Sequence, residues 1–254
     1  MPFALEGFLL LISRISGLFL SAPILSSRMM PVRVKILVIV ALAAMMAYFV
    51  PVAYAQEITS PAYFIAALAV EILIGYTIGF VAYMVFGAIQ LAGQIMDMQM
   101  GFGIVNVVDP QSGTQIPLMG NLTQTVALLL YLAIDGHHYL FQALVQSYKV
   151  IPVLGLSLNG KVTDLIIQVS VYMFIIAVKI SAPIIIAIMT ADIAMGFVAR
   201  TVPQMNVFIV GLPLKILVGL GSLLIMMPIY IWVFNQLFAR FFEYLDQLLR
   251  LMGM

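Results

Sequence analysis

Apolar residues fill most of this chain in long runs, set apart by short stretches rich in Pro, Gly, Asn, Asp and basic residues. A helix needs about 20 mostly apolar residues to span the hydrocarbon of a bilayer. On that measure the runs predict helices at Ala4–Ala22, Val34–Val52, Ala62–Gln94, Leu118–Ala133, Leu165–Val198 and Val207–Phe238. Those beginning at Ala62, Leu165 and Val207 are too long for one simple crossing. Pro183 interrupts one of them beside Lys179, and Pro213 and Pro228 interrupt another beside Lys215. Proline removes a helical hydrogen bond and clashes with the preceding turn, so kinked or broken helices are expected there. Broken backbone at membrane depth survives only where protein or water satisfies the freed groups, which points to burial inside a complex. The expected fold is all-α, a polytopic membrane-type arrangement forming a single domain over residues 1–254.

Composition agrees with this pattern and narrows the function. Hydrophobic residues make up 64% of the chain and charged residues 8%, against about 25% charged in soluble domains. So few charges cannot cover a water-facing surface. A net charge of +1 leaves no basic surplus to release counterions from a nucleic acid, so no nucleic-acid partner is expected. The absence of Cys removes disulfide frameworks, thiolate catalysis and Cys-ligated metals. Glu6 and Arg14 are out of place in a secretory leader, and Ala53-Tyr54-Ala55 lies too far along to be its cleavage site, so both regions read as retained helices. Arg28, Arg33 and Lys35 place their connection in the cytoplasm, and Arg240 and Arg250 do the same for the tail. Six crossings would put both termini on one side, which conflicts with that pair of assignments.

The polar residues inside the apolar runs carry the candidate chemistry. Gly75 and Gly79 are spaced for close helix packing. Gln90, Gln94 and Asp97 share one helix face, too polar for lipid and suited to a subunit contact or a channel lining. Met96, Met98 and Met100 are deformable side chains at the end of the same helix. They lead into the one long polar loop, Gly101–Pro117, and a loop of that kind between buried helices is more often functional than a connector. Arg14, Glu71, Lys179, Asp192, Arg200 and Lys215 are ionisable residues in apolar surroundings, expected to be buried and paired or to form a relay. Asp192 and Arg200 share a helix face, and Glu71 is expected to serve Lys179 or Lys215.

Catalytic and cofactor signals fail at the level of spacing. His137 and His138 are adjacent, so on a helix they point apart and make a poor metal site. Gly155 to Gly160-Lys161 opens like a phosphate-binding loop, but Val162 stands where Ser or Thr would hold Mg²⁺. No nucleophile elbow or triad is present. No enzyme activity, metal or cofactor is expected.

A set of motifs does converge. Gln90-Leu-Ala-Gly-Gln94, Asp97-Met-Gln-Met-Gly-Phe102 and Val108-Asp109-Pro110 are followed by Asp135-Gly-His-His138, Ser181-Ala-Pro-Ile184 and Met195-Gly196 with Arg200. Pro203-Gln-Met-Asn-Val-Phe208 and Gly211-Leu-Pro-Leu214 complete the series, and Arg14-Ile-Ser-Gly17 with Pro23 precedes it. In this order they resemble the FliR family of flagellar export-gate proteins. The resemblance implies a single-copy subunit of helical hairpins in a spiral assembly with FliP-like and FliQ-like small membrane proteins. It also implies FlhB-like and FlhA-like partners, and flagellar proteins passing through a central channel in the inner membrane at the basal body. The loop at Gly101, Phe102, Gly103, Asn106, Asp109, Pro110 and Pro117 matches the family's channel plug, beside a gasket at Met96, Met98 and Met100. Two alternatives stand beside it: an injectisome homologue, and a solute transporter using Lys179, Asp192 and Arg200, which would call for an internal repeat.

Overall fold

The structure, a computed structural model, describes residues 5–27, 30–49, 60–102, 117–152, 155–156, 160–204 and 206–253, without the side chains of Val207 and Phe208. The described residues form helices and connecting turns, with no strand among them. In chain order the helices are α1 (Leu5–Ser21), α2 (Val32–Phe49), α3 (Pro61–Met100), α4 (Leu118–Ala133), α5 (Gly136–Val150), α6 (Gly160–Thr201) and α7 (Val207–Met252).

Ser and Thr tolerate these apolar helices because each hydroxyl finds its acceptor one turn back. Ser13 donates to the Leu9 carbonyl at 2.9 Å, Thr77 to Leu73 at 2.7 Å, Ser170 to Ile166 at 2.8 Å and Ser222 to Val218 at 2.6 Å. The hydroxyl therefore needs no water. The expected breaks at proline do not occur, since α6 runs through Pro183 and α7 through Pro213 and Pro228. The break falls instead between α4 and α5, where Asp135 takes a left-handed φ of 56°. Asp is among the few non-Gly residues that accept that geometry. The helix beyond it, α5, was not expected, because Gln142, Gln146, Ser147 and Lys149 interrupt the apolar pattern.

Among the described residues four helices are long and apolar enough to cross a membrane, or five if the bent pair α4 and α5 counts as one span. Six were expected. The difference begins at α1, which has 17 residues and buries most of its length, Arg14 included. By contrast α6, at 42 residues, extends about 63 Å at ~1.5 Å per residue, twice the ~30 Å hydrocarbon core. Exposed apolar side chains run along the long helices, among them Leu37 on α2, Phe174 and Ile193 on α6, and Leu217, Ile225 and Trp232 on α7. Apolar surface on that scale requires lipid or partner protein, and the chain is membrane-embedded.

The chain divides into two compact units that are interleaved in sequence. The first comprises residues 1–85, 132–170 and 238–254, and the second 86–131 and 171–237. The divisions pass through α3, α4, α6 and α7, so neither unit is a continuous stretch of sequence. In the first, α1 packs on α2 and against α3. A Cβ on Gly17 would overlap the Ile72 carbonyl, one on Gly75 the Arg14 carbonyl, and one on Gly79 the Ser21 hydroxyl. Backbone meets backbone along this seam. Leu18, Ile74, Ile78, Phe238, Phe241 and Leu248 are buried in this unit. In the second unit Ile89, Met96, Met100, Ile184, Ile188 and Phe234 are buried, and the Tyr230 hydroxyl donates to the Ile180 carbonyl at 2.9 Å.

Candidate functional site

A buried ion pair lies in the first unit. Arg14 and Glu71 are both fully buried, with Nε to Oε2 at 2.5 Å and Nη2 to Oε1 at 3.0 Å, a bidentate pair. Nη1 also donates to the Ser147 hydroxyl at 3.0 Å, and Nη2 to the Ile151 carbonyl at 3.2 Å. The guanidinium lies 4.1 Å from the centre of the Tyr148 ring, whose own hydroxyl donates to the Leu11 carbonyl at 3.1 Å. Three helices are thus tied through one planar cation, the geometry for which Arg is suited. With its donors engaged and water excluded, the cluster offers no free group to a solute. The expected service of Glu71 to Lys179 or Lys215 is corrected here. Two lone opposite charges in neighbouring apolar helices were a signal for this pair, but spacing alone could not choose among three cations.

The second unit holds the residues around the polar loop. α3 ends in a Schellman turn: Gly101 has a φ of 88°, its N–H reaches the Met98 carbonyl at 3.3 Å, and the Phe102 N–H reaches the Asp97 carbonyl at 3.1 Å. The Asp97 side chain is buried and turns to the start of α4. Its carboxylate accepts from the Met119 N–H at 2.9 and 3.1 Å and from the Gly120 N–H at 3.2 Å. Gly93 and Gly120 bring the two backbones together there, with no room for a Cβ on Gly93. Gln90 is half-buried and Gln94 exposed, so the polar face expected with Asp97 divides three ways.

The three methionines also separate. Met96 and Met100 are fully buried and Met98 is 69% exposed. Met100 fills the space that Gly219 leaves, its Cγ 2.8 Å from where a Cβ on that glycine would stand. Of the expected plug residues, Gly101, Phe102 and Pro117 are half-buried, while Gly103, Asn106, Asp109 and Pro110 lie outside the described residues.

The charges expected to be buried are placed differently. Asp192 pairs with Lys215 at 2.8 Å, with the side chains 39% and 27% exposed. Lys179 and Arg200 are exposed in the chain. No convergence of Lys179, Asp192 and Arg200 on one site occurs among the described residues. His137 and His138, in the first turn of α5, do not point apart: their ring centres are 4.2 Å apart. Ligand atoms of Asp135, His137 and His138 lie within 4.8 Å of one another. A cation there would face the positive end of the α5 dipole with two of its three ligands in solvent, so the cluster is a weak cation site.

Comparison with known proteins follows the chain nearly end to end. Residues 5–241 match the family described as bacterial export proteins, family 1. The flagellar biosynthetic protein FliR of Bacillus subtilis (strain 168) is 38% identical over 257 residues, covering 97% of this chain and 96% of its own length. FliR of Escherichia coli (strain K12) is 32% identical, with 93% and 90% covered. FliR of Aquifex aeolicus (strain VF5) is 26% identical, with 91% and 88% covered.

Proposed function

The chain belongs to the bacterial export proteins, family 1, together with the FliR proteins, and from that premise we propose that it is a channel-forming, non-enzymatic subunit of the flagellar export gate. At the level of the family it is a membrane-embedded component of flagellar type III protein export. The finer reading is that it nucleates assembly of the pore with FliP-like and FliQ-like subunits and meets FlhB-like and FlhA-like proteins. Its place is the inner membrane at the flagellar basal body. The loop at Gly101–Pro117 plugs the closed channel, with Met96 and Met100 packed behind its base.

The observation that carries this reading is the end-to-end match to relatives named as flagellar proteins, which also favours the flagellar system over an injectisome. The transporter reading loses its support, since two of its three charges are exposed and the third is paired with Lys215.

Pull-down of the chain from detergent-solubilised native membranes, followed by mass spectrometry, tests the assembly. Two small hydrophobic partners in excess over this chain are the expected result; a chain that runs alone or with copies of itself overturns it. Deleting Ser112–Gln115 tests the plug. The complex is expected to assemble and leak ions, and unchanged membrane conductance would sink the plug assignment.

A further inference from the structure

We propose that Asp97 is a positioning residue, a clasp that holds both ends of the polar loop with one amino acid; the inference rests on the plug reading for its consequence but not for its geometry. The backbone carbonyl of Asp97 accepts the Phe102 N–H where the loop leaves α3, and its carboxylate accepts the Met119 and Gly120 N–H groups where the chain enters α4. The two ends are therefore fixed to each other through a single Cα.

The carboxylate is well matched to this position. The first N–H groups of a helix have no partner within it, and Pro117, at the capping position of α4, has no side-chain oxygen to offer. Asp97 supplies from α3 what α4 lacks locally. The positive end of the helix dipole adds to the attraction, and burial keeps water from competing. Gly93 and Gly120 permit the close approach, but glycines supply contact and little attraction. The charge-assisted bonds from Asp97 supply the hold. On this reading Asp97 decides where the loop begins and ends, and so sets the seat from which a plug works.

A helix cap and a clasp make different demands, and two variants separate them. Asp97→Ala removes both functions. Adding Pro117→Asp to it gives α4 a cap of its own but restores no link to α3. The chain has no Cys, so Gln99→Cys and Asn121→Cys, either side of the clasp, can carry spin labels in the assembled complex. The expected result is a narrow distance distribution with Asp97 present, lost in Asp97→Ala and still lost in Asp97→Ala/Pro117→Asp. A distribution unchanged in Asp97→Ala, or restored by Pro117→Asp, overturns the clasp. If Asp97→Ala does not assemble, Asp97→Asn, which keeps one accepting oxygen, takes its place and is expected to broaden the distribution partially; no broadening overturns the proposal. Ion leak measured on the same complexes is expected to rise toward that of the Ser112–Gln115 deletion. Should the deletion itself be tight, the plug reading fails while the distance measurement still decides the clasp. A leaky deletion beside a tight Asp97→Ala complex means that the loop plugs without needing its clasp.

Discussion

Replacing Glu71 by Leu would leave the Arg14 guanidinium buried, charged and short of two of its acceptors. The helices around it cannot simply open to admit water, because the Arg14 carbonyl itself is pressed against Gly75 along the seam. Breaking a buried pair by removing one partner costs about 3–5 kcal/mol, mostly for the uncompensated charge. Removing both charges is different. Arg14→Leu/Glu71→Leu forfeits the stacking on Tyr148 and the bonds to Ser147 and Ile151 but buries no lone ion. The double variant is therefore expected to be more stable than Glu71→Leu alone, despite carrying one more substitution. SDS titration of the detergent-solubilised protein, followed by far-UV circular dichroism, compares the four members of the cycle. A coupling energy above ~1.4 kcal/mol, a factor of ten in the equilibrium, is well outside the ~0.5 kcal/mol scatter of independent sites. Additive losses in the cycle, or a Glu71→Leu protein as stable as the parent, would refute the reasoning.

Two glycine experiments use the same packing logic. Gly75→Ala places a Cβ against the Arg14 backbone and is expected to cost about 1–3 kcal/mol, while Gly221→Ala, with nothing within 4 Å, is expected to be neutral or to gain up to ~1 kcal/mol from helix propensity; the same titration reads the opposite signs. The atoms nearest a Cβ on Gly219 all belong to the flexible Met100 side chain, so the loss in Gly219→Ala is expected to be smaller than that of Gly75→Ala and to be reduced when Met100→Ala is added, and a loss unaffected by Met100→Ala would place the collision elsewhere.

The last helix continues past its expected end at Phe238 to Met252, but the existence of the long helices was legible because a spanning run must be almost wholly apolar. Their continuity through Pro183, Pro213 and Pro228 was not, since a proline in sequence does not say whether the carbonyls it frees are satisfied by their surroundings. The topology conflict arose from counting α4 as a crossing of its own, which put five crossings between the basic stretch and the tail and so placed them on opposite sides. With the four sufficiently long helices alone as spans, the basic stretch at Arg33 and Lys35 and the tail at Arg240 and Arg250 fall on the same side, as their charge requires.

By itself the sequence determined that the chain is helical, membrane-embedded and a member of an export family. Those properties follow from composition, run length and the order of motifs, all of which are summed along the chain. Only the tertiary structure decided that Glu71 answers Arg14, that Asp192 answers Lys215, and that Asp97 reaches across to α4. Charge pairing depends on which helix faces meet over a few ångströms. In a helix as uniformly apolar as α3 no periodic stripe marks the inward face, so partners are chosen by close backbone contacts; the spacing of Gly75 and Gly79 announced such a contact but not that Arg14 and Gly17 would meet it.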